Sequence, residues 1–434
     1  MLVSPSIARR PVPSEQVGSR QGARLRPGLG LVMAVAVTLL YALLTLLQHR
    51  PLLEGDEIRY HDDAKHLVEG WFVSDENPRI YNGPGYPLVL APLVAWDAPL
   101  ISMRLLGALM LGLSAWLFWL VARRWMSPRW AAAFVLFCAL QPGLLRSAHL
   151  LMTEPLTHLC AALFLWLFVC ALETRRWVPW ALAAAVVLAC WAMTRVFMGH
   201  VIVASLVACA VLLVWRAARA TLVRSLVVLV TAFLLCVPYL KYTSSKTGGW
   251  MTWATSSGEM LYWISSYEGG ENGHWYSDVQ VFANPKLDAR HGAFFREIEV
   301  MSHLERDAAM KEVAIRRIKA DPLAVLGNWV CNVSRMFFGF PRSLETEKLS
   351  SLVYLGVNGT LIGGLVAGAG LAIWRRQSVP WAILPLGLVA AFYIGGSSLA
   401  PALPRYFLGI LPVVALLAFG LLSRVPWSRL RHDS

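Results

Sequence analysis

The sequence predicts an all-α polytopic membrane protein with about ten spanning helices, a helical first outer loop and one long second outer loop. Three observations carry this. Of 434 residues, 57% are hydrophobic and only 15% charged, where soluble domains carry about 25% charged residues. Apolar stretches recur near 28–48, 101–122, 130–147, 154–172, 178–194, 196–215, 222–240, 351–374, 380–398 and 405–423, most reaching the roughly 17–25 residues a spanning helix needs. Finally, arginines gather in alternate connections, as the positive-inside bias requires of short loops.

Residues 1–27 are basic and rich in Pro, Ser and Gly, which predicts a disordered cytoplasmic segment. The first apolar stretch is longer than a signal-peptide core and no small-residue cleavage site follows it, so it reads as an uncleaved first span. The 178–215 stretch is divided at Thr194-Arg195, because a charge in mid-membrane is costly. Arg9, Arg10, Arg123, Arg124, Arg175, Arg176, Arg375 and Arg376 lie in the connections assigned to the inside, with Arg429 and Arg431 in the tail. Both termini are therefore expected in the cytoplasm. The net charge of +13 follows from this topology and from contact with anionic lipid, and gives no reason to invoke nucleic acid. Six of seven cysteines fall inside spans, and Cys331 stands alone in the long loop. No disulfide or zinc spacing emerges.

The resulting division is 1–27, a membrane module 28–240 with its first loop at 49–100, a loop 241–350, C-terminal spans 351–423 and a tail 424–434. In the first loop, Asp56 to Gly70 suits an interfacial helix with Tyr60, Leu67 and Val68 toward lipid and the acids inward. Gly83-Pro84-Gly85-Tyr86-Pro87 then turns the chain back. In the long loop, about 294–319 reads as an amphipathic helix ending at Asp321-Pro322, and a further helix at 323–338 skims the membrane surface.

The densest chemistry is Asp56-Glu57-Ile58-Arg59-Tyr60, directly after the first span. In a helix Asp56 shares a face with Arg59 and Tyr60, while Glu57 points about 100° away. One acid can meet a substrate while the other holds the site together; a solvated first turn with an ordinary Asp–Arg pair accounts for the same residues. His61 and Asp62 extend the cluster as candidate ligands for a divalent ion, beside their reading as surface residues. Thr153-Glu154-Pro155 opens the fourth span, with Thr153 as cap and Glu154 at the positive helix end. Arg195 lies between the fifth and sixth spans, and Arg405-Tyr406 opens the last. Guanidinium suits phosphate by its fork of donors, though an arginine at a span end also snorkels to headgroups.

The order of these elements resembles the GT-C superfamily of polyprenyl-phosphate-sugar-dependent glycosyltransferases, in the branch of protein O-mannosyltransferase-like proteins and lipid A aminoarabinose transferases. The matching residues are Asp56 to Tyr60 after the first span, Gly83 to Leu88 before the second, Thr153 to Leu156 at the fourth, and Arg405, Tyr406, Leu411 and Pro412 at the last. The resemblance implies a GT-C fold with no soluble domain after the tenth span. It makes Asp56 the leading catalytic acid, Glu154 a second acidic site residue, Glu57 a supporting or metal-binding acid and Arg59 a substrate contact; by their own placement Tyr60, Arg195, Arg405 and Tyr406 are expected to complete the substrate-binding set. It implies an inner-membrane enzyme moving one sugar, with inversion, from a polyprenyl phosphate to a lipid, glycan or protein acceptor on the periplasmic face. No cofactor is required by this reading beyond a candidate divalent metal. An O-antigen polymerase or ligase type enzyme using a diphosphate-linked glycan is the alternative. A lipid-linked sugar transporter would need broken helices in related halves, and none is evident.

Overall fold

The computed structural model describes residues 27–344, 348–377 and 379–424. The disordered segment expected before residue 27 and the tail expected after 424 lie outside these residues. Among them every regular element is helical. Seven helices are long and apolar enough to cross a membrane, and four shorter apolar helices accompany them.

Helix α1 (Pro27–Leu47) leads into a short segment and then α2 (Asp56–Val68), α3 (Gly85–Ala95) and the long α4 (Leu100–Trp125). The stretch expected as one span over 130–147 is instead α5 (Pro128–Ala139) and a single turn, α6 (Pro142–Arg146). Pro142 has no N–H to continue α5 and suits the first turn of a new helix. Helices α7 (Glu154–Glu173), α8 (Trp177–Thr194) and α9 (Phe197–Val211) follow, with the division at Thr194-Arg195 where charge predicts it. Helix α10 (Arg219–Thr247) overruns its apolar stretch by about two turns and stops at Gly248, whose φ of 67° is left-handed, the usual device for ending a helix.

The long connection contains α11 (Ser257–Ile264), the short turns α12 (Asp278–Ala283), α13 (Pro285–Leu287) and α14 (Ala293–Ile298), then α15 (His303–Ala320) and α16 (Pro322–Phe338). The single helix expected over 294–319 is broken, because Ser302 caps α15 and exchanges hydrogen bonds with Glu305, a capping box that starts a new helix. Asp321-Pro322 ends α15 as expected, with Asp321 accepting from the Ala324 N–H at 2.9 Å. Helix α16 turns its polar side inward: Asn328, Asn332 and Arg335 are buried, while Leu323, Leu326 and Val330 are exposed. Asn332 Nδ2 donates to the carbonyls of Ser398 and Ala400, each at 3.2 Å. This reverses the pattern of a soluble surface helix.

Helices α17 (Leu349–Trp374), α18 (Ile383–Ser397), α19 (Pro404–Leu408) and α20 (Leu411–Leu422) complete the chain. The last expected span, 405–423, is thus a turn and a shorter helix. Helix α4 packs on α1 and α7, α7 on α8, α8 on α10, and α20 on α17. The main core runs through these contacts, with separate apolar clusters under the long connection and around Tyr60 and Tyr86. Because the long helices alternate in direction, the α1 C-terminus and the N-termini of α4 and α7 fall at one end of the bundle. The α8 C-terminus and α19 fall at the same end, and the site is built there.

Candidate active site

Helix α2 begins at Asp56 and aims it into the space beneath α19. Asp56 Oδ1 accepts from Arg59 Nη2 at 3.0 Å, one helical turn on, and Oδ2 accepts from Arg405 Nη1 at 2.5 Å. Burial pushes the Asp56 carboxyl up, but Arg405 and Arg59 outweigh it and hold the group below the usual carboxylate range. With its side-chain oxygen turned toward Arg59, Asn82 accepts from Arg59 Nη2 at 3.0 Å. The sequence offered no signal for Asn82 beyond its place before Gly83.

Glu57 has a different fate. Its side chain and that of Arg104 are fully buried, and the two meet through a fork: Nε to Oε1 at 3.0 Å and Nη2 to Oε2 at 2.9 Å. Glu57 Oε1 also accepts from the Leu151 N–H at 2.6 Å, and Oε2 from the Glu54 N–H at 3.0 Å. Arg104 spends its remaining donors on the Arg50 carbonyl, the Leu52 carbonyl and His49. Both oxygens of Glu57 are therefore committed inside the protein, not presented to a substrate. The Glu57–Arg104 pair thus joins the segment after α1, the start of α2 and the segment leading to α7. Sequence reasoning passed over Arg104; a lone arginine in the first turn of an apolar span was its signal.

Glu154 opens α7 and is 2% exposed. Arg195, at the end of α8, donates from Nη2 to Glu154 Oε1 at 2.6 Å, while Glu154 Oε2 meets no partner. The α8 end is fixed by the glycine turn. A Cβ on Gly83 would stand 2.0 Å from the Met193 carbonyl oxygen, and one on Gly85 2.4 Å from Thr194 Oγ1. The motif thus serves close backbone approach. Tyr60 is 2% exposed, not turned to lipid as expected, and packs edge-on against Tyr86 at 5.4 Å. The charges of Arg195, Glu154, Asp56 and Arg59 all act on its hydroxyl. The Tyr406 carbonyl accepts from the Tyr393 hydroxyl at 3.2 Å, which anchors α19 and Arg405.

A cavity of about 940 Å³ opens here, lined by Asp56, Glu154 and Arg405 together with residues of α6 and the start of α17. So the structure brings together Asp56, Arg59, Tyr60, Glu154, Arg195 and Arg405, which are spread over some 350 positions. His61 and Asp62 stand apart as a pair at 3.8 Å with Asp62 half exposed. Among the described residues no three His, Cys, Asp or Glu side chains converge to hold an ion. Asp56 and Glu154 each face guanidinium groups, leaving one free oxygen between them. That donor set does not fit a divalent metal, and the metal role expected of His61 and Asp62 finds no third ligand.

No family model and no curated protein matches this chain. Solved structures do. The oligosaccharyltransferase AglB from Archaeoglobus fulgidus, in complex with an inhibitory peptide and a dolichol-phosphate, aligns over 93% of this chain and 51% of its own, with TM-score 0.52 and 14% identity. The same enzyme tethered to an acceptor peptide gives TM-score 0.54 over 90% of this chain and 49% of its own, again at 14% identity. ArnT from Cupriavidus metallidurans bound to undecaprenyl phosphate aligns over 92% of this chain and 77% of its own at 17% identity, with TM-score 0.40. The chain spans about half the length of the oligosaccharyltransferase. At such identities the likeness is one of fold, and the chain has the GT-C fold that its motifs resemble.

Proposed function

We propose that this protein is an integral membrane glycosyltransferase that moves a single sugar, with inversion, from a polyprenyl phosphate to a hydroxyl of a lipid, glycan or protein acceptor. The observation that carries the reading is the convergence, at one end of the bundle, of a carboxylate fit to be a base with Arg405 on the cavity lining, and with Arg59 and Arg195 held behind the lining by Asp56 and Glu154. The GT-C fold supports it. By the positive-inside bias, this end of the bundle is the periplasmic face of a bacterial inner membrane.

In this reading the Asp56–Arg405 contact is the resting state. The donor's phosphate competes for Arg405, and as the guanidinium moves to it Asp56 loses the charge that depresses its pKa. It becomes a stronger base as the donor arrives. Asp56 then takes the proton of the acceptor hydroxyl while that oxygen forms its bond to the anomeric carbon. The bond from that carbon to the phosphate oxygen breaks, and polyprenyl phosphate leaves with the electron pair. Arg405, Arg195 and Arg59 stabilise the charge growing on the leaving group, more strongly for being partly out of water. Glu154 holds Arg195 in place and offers its free oxygen to the sugar, Tyr406 bounds the donor beside Arg405, and Tyr60 and Glu57 fix the backbone from behind. One displacement suffices.

The test is release of undecaprenyl phosphate from a panel of undecaprenyl-phosphate sugars by the purified protein in lipid, beside Asp56→Asn. Release by wild type and its loss in a folded variant supports the reading. Release only from a diphosphate-linked oligosaccharide moves the assignment to a polymerase or ligase type, and undiminished turnover by Asp56→Asn removes the base.

A further inference from the structure

We propose that Asn332 of α16 is a positioning residue for sugar transfer: it fixes the chain segment that carries Arg405, and so sets where the donor phosphate is held. The proposal rests on the glycosyltransferase reading. It adds a residue that acts on the site without touching a substrate.

Arg405 needs such support because of its place in the chain. Helix α18 ends at Ser397 and the short α19 begins at Pro404, so residues 398–403 lie outside any helix. Pro401 and Pro404 have no N–H to give, and a helix of five residues holds itself weakly. Ser398 is buried, and a buried carbonyl in such a segment must find its donor elsewhere in the fold.

Helix α16 supplies the donors. Trp329 Nε1 donates to the Gly395 carbonyl at 2.8 Å. The Asn332 amide reaches the Ser398 and Ala400 carbonyls, each at 3.2 Å. Further along α16, Phe337 packs edge-on against Phe407 of α19, with ring centres 4.8 Å apart. The chain is thus gripped on both sides of Arg405. Asn332-Val333-Ser334 has the form of a glycosylation acceptor, but Asn332 is wholly buried and its amide is in use on both sides.

Arg335 decides which way that amide faces. Its Nη1 donates to Asn332 Oδ1, while Nε and Nη2 donate to the carbonyls of Pro341 at 3.0 Å and Asn272 at 2.9 Å. Arginine has donors and no acceptor. Only the amide oxygen can face it, and the NH2 is left to the two carbonyls before α19. Asn328, one turn earlier, is buried as well but donates to Ile264 and Ser266 of the long connection, at 2.8 and 2.9 Å. Two asparagines of one helix face thus serve different segments, and only Asn332 serves the one that leads to Arg405.

The test is a double-mutant cycle on binding of undecaprenyl phosphate, with the protein in phosphatidylcholine nanodiscs. Arg405→Gln should weaken binding about tenfold, the worth of one charge-assisted contact. Asn332→Asp keeps the size of the side chain and still accepts from Arg335, but cannot donate to Ser398 or Ala400. It should weaken binding about three- to tenfold, the worth of a neutral hydrogen bond. The double variant should bind no worse than Arg405→Gln alone, because both changes act through one guanidinium. Asn328→Asp makes the same chemical change one turn away and should bind as wild type does. Where Asn332→Asp does not fold, Phe337→Leu loosens the other flank of α19 and takes its place in the cycle with the same expectation. Additive losses, or wild-type binding by Asn332→Asp, overturn the proposal while Arg405 keeps its role. An equal loss in Asn328→Asp overturns it too, since softening α16 anywhere would then suffice. If Arg405→Gln binds as wild type does, the phosphate is not held there, and the role of Arg405 in the proposed function falls together with that of Asn332.

Discussion

Asp56 and Glu57 are neighbours in sequence, carry the same functional group and each meet an arginine from a distant helix. Their surroundings divide them. The Glu57–Arg104 pair is wholly inside the protein, with every oxygen and most donors satisfied by three stretches of chain. The Asp56–Arg405 pair borders the cavity, with side chains 24% and 36% exposed. One helix turn thus presents one acid to the scaffold and its neighbour to the cavity. A closed pair fixes geometry, and an open pair can be exchanged for a ligand.

Substitution at the two positions therefore separates activity from stability. Asp56→Asn keeps the size of the side chain and removes the proposed base, so under the proposed function sugar transfer should fall about 10²–10⁴-fold. Its ion pair is partly solvated and worth about 0–1 kcal/mol, so the thermal midpoint should barely move. Arg104→Met should do the reverse, leaving the Glu57 charge buried and unpaired at a cost of about 3–5 kcal/mol. Thermal unfolding in lipid nanodiscs reads both. If Arg104→Met unfolds like wild type while losing activity, Glu57 belongs to the reacting groups and the division fails.

The open pair was legible in the sequence and the closed one was half hidden. Asp56, Arg59 and Tyr60 announce themselves by spacing after a span, and Arg405 by its place at the start of the last one. Their juxtaposition follows once the long helices alternate in direction. Arg104 was missed because its partner lies 47 positions upstream and its role is set by packing, which periodicity does not report. The fold class was readable from apolar runs, yet the stretches at 130–147 and 405–423 were too long because hydropathy is blind to a break. Pro142 ends one of them, and a two-residue break after Leu408 divides the other. Tyr60 was misplaced for a related reason: an aromatic ring near an interface is assigned to lipid by pattern, whereas Tyr86 and Met103 supply a pocket for it.

The glycine turn sharpens the comparison from the scaffold side. Gly83→Ala inserts a methyl against the Met193 carbonyl, a backbone atom that can yield only by moving the end of α8. Overpacking of this kind costs about 1–3 kcal/mol. It should also displace Arg195, so activity falls although no reacting group has changed. A variant with wild-type stability and turnover would show that α3 and α8 are loosely joined.

Asp63 offers the smallest and most discriminating effect, because it lies two turns along α2 from Asp56 and makes no ion pair among the described residues. Burial raises its carboxyl to about 6, against a smaller opposing pull from Arg59. A carboxyl raised in the fold binds its proton more tightly there than in the unfolded chain. Between the unfolded value near 4 and about 6 the native state holds the extra proton, so stability declines as pH rises through that window and is flat above it. Asp56, held low, acts in the opposite sense: its contribution is present above the unfolded value and is lost as pH falls through the folded one. Asp63→Asn should therefore raise the thermal midpoint slightly at pH 7 and remove the decline between about pH 4 and 6, whereas Asp56→Asn should leave that decline in place. Loss of the same pH dependence in both variants would mean that α2 titrates as one coupled unit, and the separation between its acids would not hold.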